Sequence, residues 1–240
     1  MRAHILIEKD HQAASALAAK LIAGKLMENP RMKVTFAAGF TPLECYKLLI
    51  GQQREGKVKL DQAYYVGLDE WIGLGPKDVG SCIETMNSAY YVPAGIPPAQ
   101  IAYFDGLCED PKAEERRMCN VIADIGGIDL AVVGVGVNGH IGFNEPDTAL
   151  QGDFSLVPLS ETTQTVGMKY FNGSRTPKEG ATMTLHALKR AKTVIVIATG
   201  EKKRAVAGQI LTGKCDLPVG AFLEHPDAYY IFDSLAASSR

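Results

Sequence analysis

No stretch of this sequence approaches the roughly 18–20 consecutive apolar residues that a membrane-spanning helix requires. The N-terminal segment Met1-Arg-Ala-His-Ile-Leu-Ile-Glu8 has an apolar run too short for a signal peptide, so the expected location is cytoplasmic. Cysteine chemistry is sparse as well. The five cysteines (Cys45, Cys82, Cys108, Cys119, Cys215) are odd in number, form no C-x-x-C pair and have no histidine at metal-ligand spacing. They are expected to be reduced, mostly buried thiols, with no metal bound. An excess of either charge is also missing. Lys and Arg total 25 against 27 Asp and Glu, a formal net charge of −2, which supplies no field for holding nucleic acid or an anionic membrane. A local basic site for one phosphate remains compatible with that balance.

What is present is an ordinary globular composition, 46% hydrophobic and 22% charged over 240 residues, with no internal repeat, low-complexity segment or long linker. A single domain over 1–240 is expected, and a chain of this size buries roughly 70–75% of its unfolded surface. Short apolar runs alternate with helical patterns. Strands are expected at His4–Ile7, Lys33–Ala38, Ala63–Leu68, Ile128–Val133, Lys192–Ala198 and Ala228–Phe232. Helices are expected over Asp10–Met27 with Asp10 as N-cap, over Leu43–Ile50 with Thr41 as cap and Pro42 in the first turn, near Ser81–Tyr91, over Glu109–Ile125 and over Glu201–Leu211. The strands are nearly continuous in apolar residues rather than alternating, the mark of a sheet covered on both faces. The expected fold is therefore α/β, a Rossmann-like three-layer sandwich with a mostly parallel central sheet. Ligands bind such sheets at the carboxyl ends of the strands, where Gly39–Thr41, Leu68–Trp71, Gly134–Glu145 and Thr199–Lys203 fall.

The segment Gly134-Val-Gly-Val-Asn-Gly139 has the spacing of a dinucleotide-binding loop. That motif needs a helix to begin within the loop, near the first strand of the fold. Here the loop lies past mid-chain and runs on into His140-Ile-Gly-Phe-Asn-Glu-Pro146, a poor helix start, so a nucleotide cofactor is not expected. The glycines instead let backbone approach a ligand and present Asn138, His140 and Glu145 from an irregular loop. A histidine beside a carboxylate is a common general acid/base arrangement.

These residues resemble a known family. Gly136-Val-Asn-Gly-His-Ile-Gly-Phe-Asn-Glu-Pro146 is similar to the signature of glucosamine-6-phosphate deaminases and their galactosamine-6-phosphate relatives. Leu68-Asp-Glu-Trp-Ile-Gly-Leu74 and Ala38-Gly-Phe-Thr-Pro-Leu43 resemble two earlier motifs of that family, in the same order, and the likeness runs from the first strand to Phe232. The resemblance implies an amino-sugar 6-phosphate as substrate and a ketose 6-phosphate plus ammonia as products. Asp69 is then the base that moves a proton between C2 and C1 of the open-chain sugar, and His140 opens the ring with Glu145 and Asn138 assisting. It assigns substrate and phosphate binding to Gly39, Phe40, Thr41, Gly136, Gly139, Lys169 and Lys203. The chemistry calls for neither metal nor redox cofactor.

Three departures from the family pattern stand out. Asn138 replaces a frequent Asp and cannot accept a proton, so ring opening must rest on the His140–Glu145 pair. Lys169 stands where a phosphate-clamping Arg is usual, with Arg175 nearby as a possible fork. Thr182-Met-Thr-Leu-His-Ala-Leu188 lacks the glycines of glucosamine-specific members and looks more like the lactonase or galactosamine branch, while Leu68–Trp71 and Gly80–Cys82 lean toward the galactosamine branch. The short C-terminal end suggests a monomer or small homo-oligomer without allosteric activation. Two other functions are compatible with parts of the sequence. A 6-phosphogluconolactonase would use His140 without needing Asp69, and a sugar-phosphate sensor would carry a DNA-binding module, for which no helix-turn-helix or basic patch is present.

Overall fold

The computed structural model describes residues 3–238 apart from 147, 169 and 172–175, and of Val166 only the backbone. The chain opens with β1 (His4–Glu8), α1 (His11–Glu28), β2 (Lys33–Phe36), α2 (Phe40–Arg54), β3 (Tyr64–Val66) and β4 (Asp69–Trp71). It continues with α3 (Cys82–Met86), β5 (Ile101–Ala102), α4 (Pro111–Asp124), β6 (Leu130–Gly134), β7 (Phe154–Pro158) and α5 (Glu161–Gly167). The last third holds β8 (Glu179–Met183), α6 (Leu185–Leu188), β9 (Thr193–Ala198), α7 (Arg204–Leu211), β10 (Ala228–Asp233) and α8 (Ser234–Ala237). Seven strands form a parallel sheet in the order β1-β10-β9-β6-β2-β3-β5.

Helices cover both faces of that sheet, which explains why its central strands are apolar throughout. In β6, Leu130 and Val132 join the core beneath α1 and α2, while Ala131 and Val133 join the core beneath α4 and α7. β9 divides in the same way, Ile195 and Ile197 to one side, Val194 and Val196 to the other. Strand side chains alternate between faces, and here both faces are dry. Among the described residues, no helix is long and apolar enough to cross a membrane.

The parallel topology also fixes where a ligand can go. β2 leads outward to its neighbour β3, whereas β6 leads in the opposite direction to its neighbour β9. The loops leaving β2 and β6 therefore diverge, opening a crevice at the topological switch point.

Three findings differ from the sequence expectations. α2 begins at Phe40, with Gly39 in the extended conformation (φ −72°, ψ 162°) as its N-cap, so Thr41 lies inside the first turn rather than capping it. Pro42 is tolerated there because first-turn N–H groups have no intrahelical partner to lose. The helix expected over Ser81–Tyr91 is α-helical only to Met86 and widens into a π turn over Asn87–Tyr91. Last, a three-stranded antiparallel sheet, β4-β8-β7, stands beside the main one and was not foreseen. β4 is three residues long, β7 ends in Pro158, and β8 reads Glu-Gly-Ala-Thr-Met, so none has a clear strand pattern. A small core of Trp71, Leu74, Phe143, Val157, Leu159 and Phe171 holds this sheet, as expected for Trp71.

Candidate active site

A cavity of about 310 Å³ occupies the switch point, bounded by the N-terminus of α2, the loop after β6, the start of β4 and Lys203. The expected residues Asp69, His140, Gly39, Phe40, Thr41, Gly136 and Lys203 all line it. Phe40 stacks on Tyr170 with ring centroids 5.0 Å apart, and both rings line the cavity.

Asp69 opens β4, opposite Thr182 of β8. Strand alternation sends its neighbour Glu70 the other way, where that carboxylate accepts hydrogen bonds from the backbone N–H groups of Trp71, Cys82 and Ile83 and from Ser81 Oγ, each 2.9 Å. Glu70 thus ties the start of α3 to β4 and brings Cys82 to the cavity wall beside Asp69. Burial, reinforced by the nearby Glu70 charge, pushes the Asp69 carboxyl up to about 7, opposed by donation from the Cys82 thiol. A carboxyl group poised near neutrality in a cavity is the property expected of a general acid/base.

The loop after β6 makes no helix. Gly139 N–H donates to Gly136 O at 3.1 Å and Gly136 N–H to His140 O at 2.9 Å, folding a tight turn whose Gly139 has φ +83°. The His140 ring lies directly on Gly136, where a Cβ would come within 2.4–2.5 Å of three ring atoms. Asn138 bridges the loop: its Oδ1 accepts from His140 N–H (3.3 Å), and its Nδ2 donates to Glu145 Oε2 (3.1 Å). Asn144 ties the same loop to β8, donating to Ile141 O and Met183 O and accepting from Leu185 N–H.

The His140–Glu145 pair is looser than its sequence proximity suggests. His140 Nδ1 stands 3.7 Å from Glu145 Oε2, beyond hydrogen-bond reach, and among the described residues it has no hydrogen-bond partner. Burial lowers the imidazole's proton affinity; Lys203 lowers it further and Glu145 raises it. The ring is therefore neutral near pH 7. Glu145 is held instead by Asn138, by Ser160 Oγ (3.0 Å) and by Thr163 Oγ1. The sequence reading missed both hydroxyl residues; Ser160-Glu-Thr-Thr163, a helix-capping pattern, was their available signal.

The cationic end is built from two strand ends. The first turn of α2 leaves the backbone N–H groups of Phe40 and Thr41 without an intrahelical partner, the arrangement that binds phosphate at helix N-termini. Lys203 ends a 3₁₀ turn over Glu201–Lys203 after β9, and Gly200 (φ +86°) makes the bend possible. Burial lowers the Lys203 proton affinity, with Lys202 adding to the effect. Gly139 is placed differently from the expectation: its Cα faces the Leu217 side chain and is not part of the cavity lining. Lys169 and Arg175 lie outside the described residues. No group of His, Cys, Asp and Glu side chains suited to a metal ion occurs among the described residues.

The model of the family described as glucosamine-6-phosphate isomerases/6-phosphogluconolactonase matches residues 8–230. A glucosamine-6-phosphate deaminase from Clostridium perfringens is 34% identical over 236 residues, 97% of this chain and 98% of that protein. Its counterpart from Thermoanaerobacter pseudethanolicus is 31% identical over 237 residues, 98% of this chain and 94% of that protein. Among solved structures, a monomeric glucosamine-6-phosphate deaminase superposes with a TM-score of 0.93 at 29% identity, covering 99% of this chain and 100% of that one. A 6-phosphogluconolactonase from Thermotoga maritima shares the fold, with a TM-score of 0.77 at 20% identity over 97% of this chain and 99% of that one.

Proposed function

Since the chain belongs to the family of glucosamine-6-phosphate isomerases and 6-phosphogluconolactonases, we propose that it converts an amino-sugar 6-phosphate into a ketose 6-phosphate and ammonia. Glucosamine 6-phosphate and its galactosamine epimer are the candidate substrates. The observation that carries this reading is Asp69, a carboxyl group raised to about 7 in the same cavity as a neutral imidazole and a cationic helix end.

The sugar phosphate binds with its phosphate on the N–H groups of Phe40 and Thr41 and on Lys203. His140, neutral at the start, takes the proton from the C1 hydroxyl and returns one to the ring oxygen, so the ring opens to the aldehyde. Glu145 stabilises the imidazolium that forms in between, and Asn138 holds the two side chains in register. Asp69 then removes the proton from C2 and delivers it to C1, while O1 gains the proton that the amino group gives up. The amino-bearing carbon becomes an imine, water adds to it, and ammonia leaves as the C2 carbonyl forms. The sum is redox-neutral and involves no cofactor. The protein works as a monomer or small homo-oligomer.

A 6-phosphogluconolactonase is the second reading, on the shared fold and on His140 as a base for ester hydrolysis. It leaves the proton affinity of Asp69 without a use, and the lactonase structure shares the fold at only 20% identity, against 31–34% for the two deaminase sequences. Ammonia and ketose phosphate, assayed in parallel on both amino-sugar phosphates and on the lactone, separate the two. Equal yields of ammonia and ketose phosphate are expected, and lactone hydrolysis without ammonia would overturn the proposal.

A further inference from the structure

Two of the donors that hold Glu145 come from outside the glycine loop. Ser160 precedes α5 and Thr163 lies in its first turn; both hydroxyls meet the same carboxylate oxygen, Oε1, Ser160 at 3.0 Å. Ser160 Oγ also accepts from Thr163 N–H at 3.2 Å, so the hydroxyl that grips the carboxylate starts the helix too. The other oxygen, Oε2, receives Asn138 Nδ2 at 3.1 Å and faces the partnerless His140 Nδ1 at 3.7 Å. Thr163 and Glu145 are both buried, and α5 is seated so closely that a Cβ on Gly167 would lie 2.9 Å from the Trp71 ring. A carboxylate in water turns freely, whereas here each oxygen is committed by a donor from a different element.

We propose that Ser160 and Thr163 are positioning residues for the His140–Glu145 pair, turning the carboxylate so that Oε2 faces His140 Nδ1 while keeping it just beyond hydrogen-bond reach. The imidazole is thereby left neutral and able to take a proton, and the charge that appears on it during turnover meets an aligned carboxylate. The catalytic consequence rests on the deaminase reading; the geometric one does not. Loss of the Thr163 hydroxyl frees the carboxylate to close on the ring, which raises the proton affinity of His140.

The test is a proton NMR titration of His140, its resonance assigned by comparison with His140→Gln, in wild type, Thr163→Val and Thr163→Ser. Thr163→Val is expected to move the midpoint upward by roughly 0.5–1 unit, the size of effect a nearer carboxylate produces. In the ammonia assay it should lower kcat about tenfold, the loss expected for one hydrogen bond to a charged group, with KM within about twofold. Thr163→Ser should restore both. An unchanged midpoint in Thr163→Val, or Thr163→Ser behaving like Thr163→Val, would overturn the inference. If Thr163→Val does not fold, Ser160→Ala decides by the same midpoint. The titration needs no substrate. An upward shift in a protein that releases no ammonia would uphold the positioning role and sink the deaminase reading; ammonia release with an unmoved midpoint would do the reverse.

Discussion

Gly142 and Asp69 meet at the floor of the cavity: a Cβ on Gly142 would stand 3.5 Å from Asp69 Oδ2 and 2.7 Å from Thr182 Oγ1. The loop after β6 packs this close to Thr182 of β8, beside Asp69, because position 142 has no side chain and adopts φ +56°. Gly142→Ala is expected to cost about 1–3 kcal/mol of stability through backbone strain and the Thr182 contact. It should also lower kcat/KM at least tenfold, because the Thr182 clash and the strain at φ +56° shift the loop that carries His140. Thermal unfolding and steady-state kinetics check both, and a variant with wild-type kinetics would show that the loop after β6 needs no fixed place against β8.

Asp69 sets a stability that depends on pH. Its folded proton affinity, about 7, lies above the ~3.9 of an exposed aspartate, so the fold bears no penalty at low pH. As pH rises from about 4 to about 7, ionisation favours the unfolded chain increasingly, up to ~4 kcal/mol at 1.36 kcal/mol per unit. Asp69→Asn removes this penalty. Its Tm should exceed that of wild type at pH 8 and converge with it near pH 4.5. A difference independent of pH would contradict the assignment. In wild type, the acid limb of kcat/KM should rise through about 7 as Asp69 ionises.

The imidazole of His140 is supported by bare backbone at Gly136. Gly136→Ala places a methyl group within 2.4–2.5 Å of the ring, so the ring must leave its present position. Activity is expected to fall about 100-fold, as for a displaced general acid/base, with secondary structure retained by circular dichroism. Near-normal activity would remove His140 from the reaction.

Lys203 has two expected effects. Lys203→Ala should raise KM for the sugar phosphate roughly 10–100-fold, the loss of one charge-assisted contact, and weaken competitive inhibition by inorganic phosphate in parallel. Because its charge holds down the proton affinity of His140, the same variant should shift the His140 titration upward. A raised KM with unchanged phosphate inhibition would place Lys203 away from the phosphate.

Much of the parallel sheet was legible because burial on both faces writes itself into runs such as Thr193-Val-Ile-Val-Ile-Ala198. Asp69 and His140 were legible as polar residues in glycine-rich segments at strand ends. The antiparallel sheet was not, since the packing of Trp71, Phe143 and Phe171 stabilises it more than its own strand propensity does. Ser160 and Thr163 were missed for a related reason. Their contact with Glu145 spans 15 and 18 residues and depends on how α5 is seated against Trp71, whereas the local capping pattern signals only the start of the helix. The 3.7 Å separation of His140 and Glu145 is likewise not readable from their spacing in sequence.

The central claim is that Asp69 moves the C2 proton of an amino-sugar 6-phosphate. Ammonia release from glucosamine 6-phosphate, measured for wild type and Asp69→Asn at equal folded concentration, tests it most directly. The account predicts ammonia matched by ketose phosphate in wild type and a loss of at least roughly 10³-fold in the variant. Undiminished ammonia release from Asp69→Asn, or none from wild type, would contradict it.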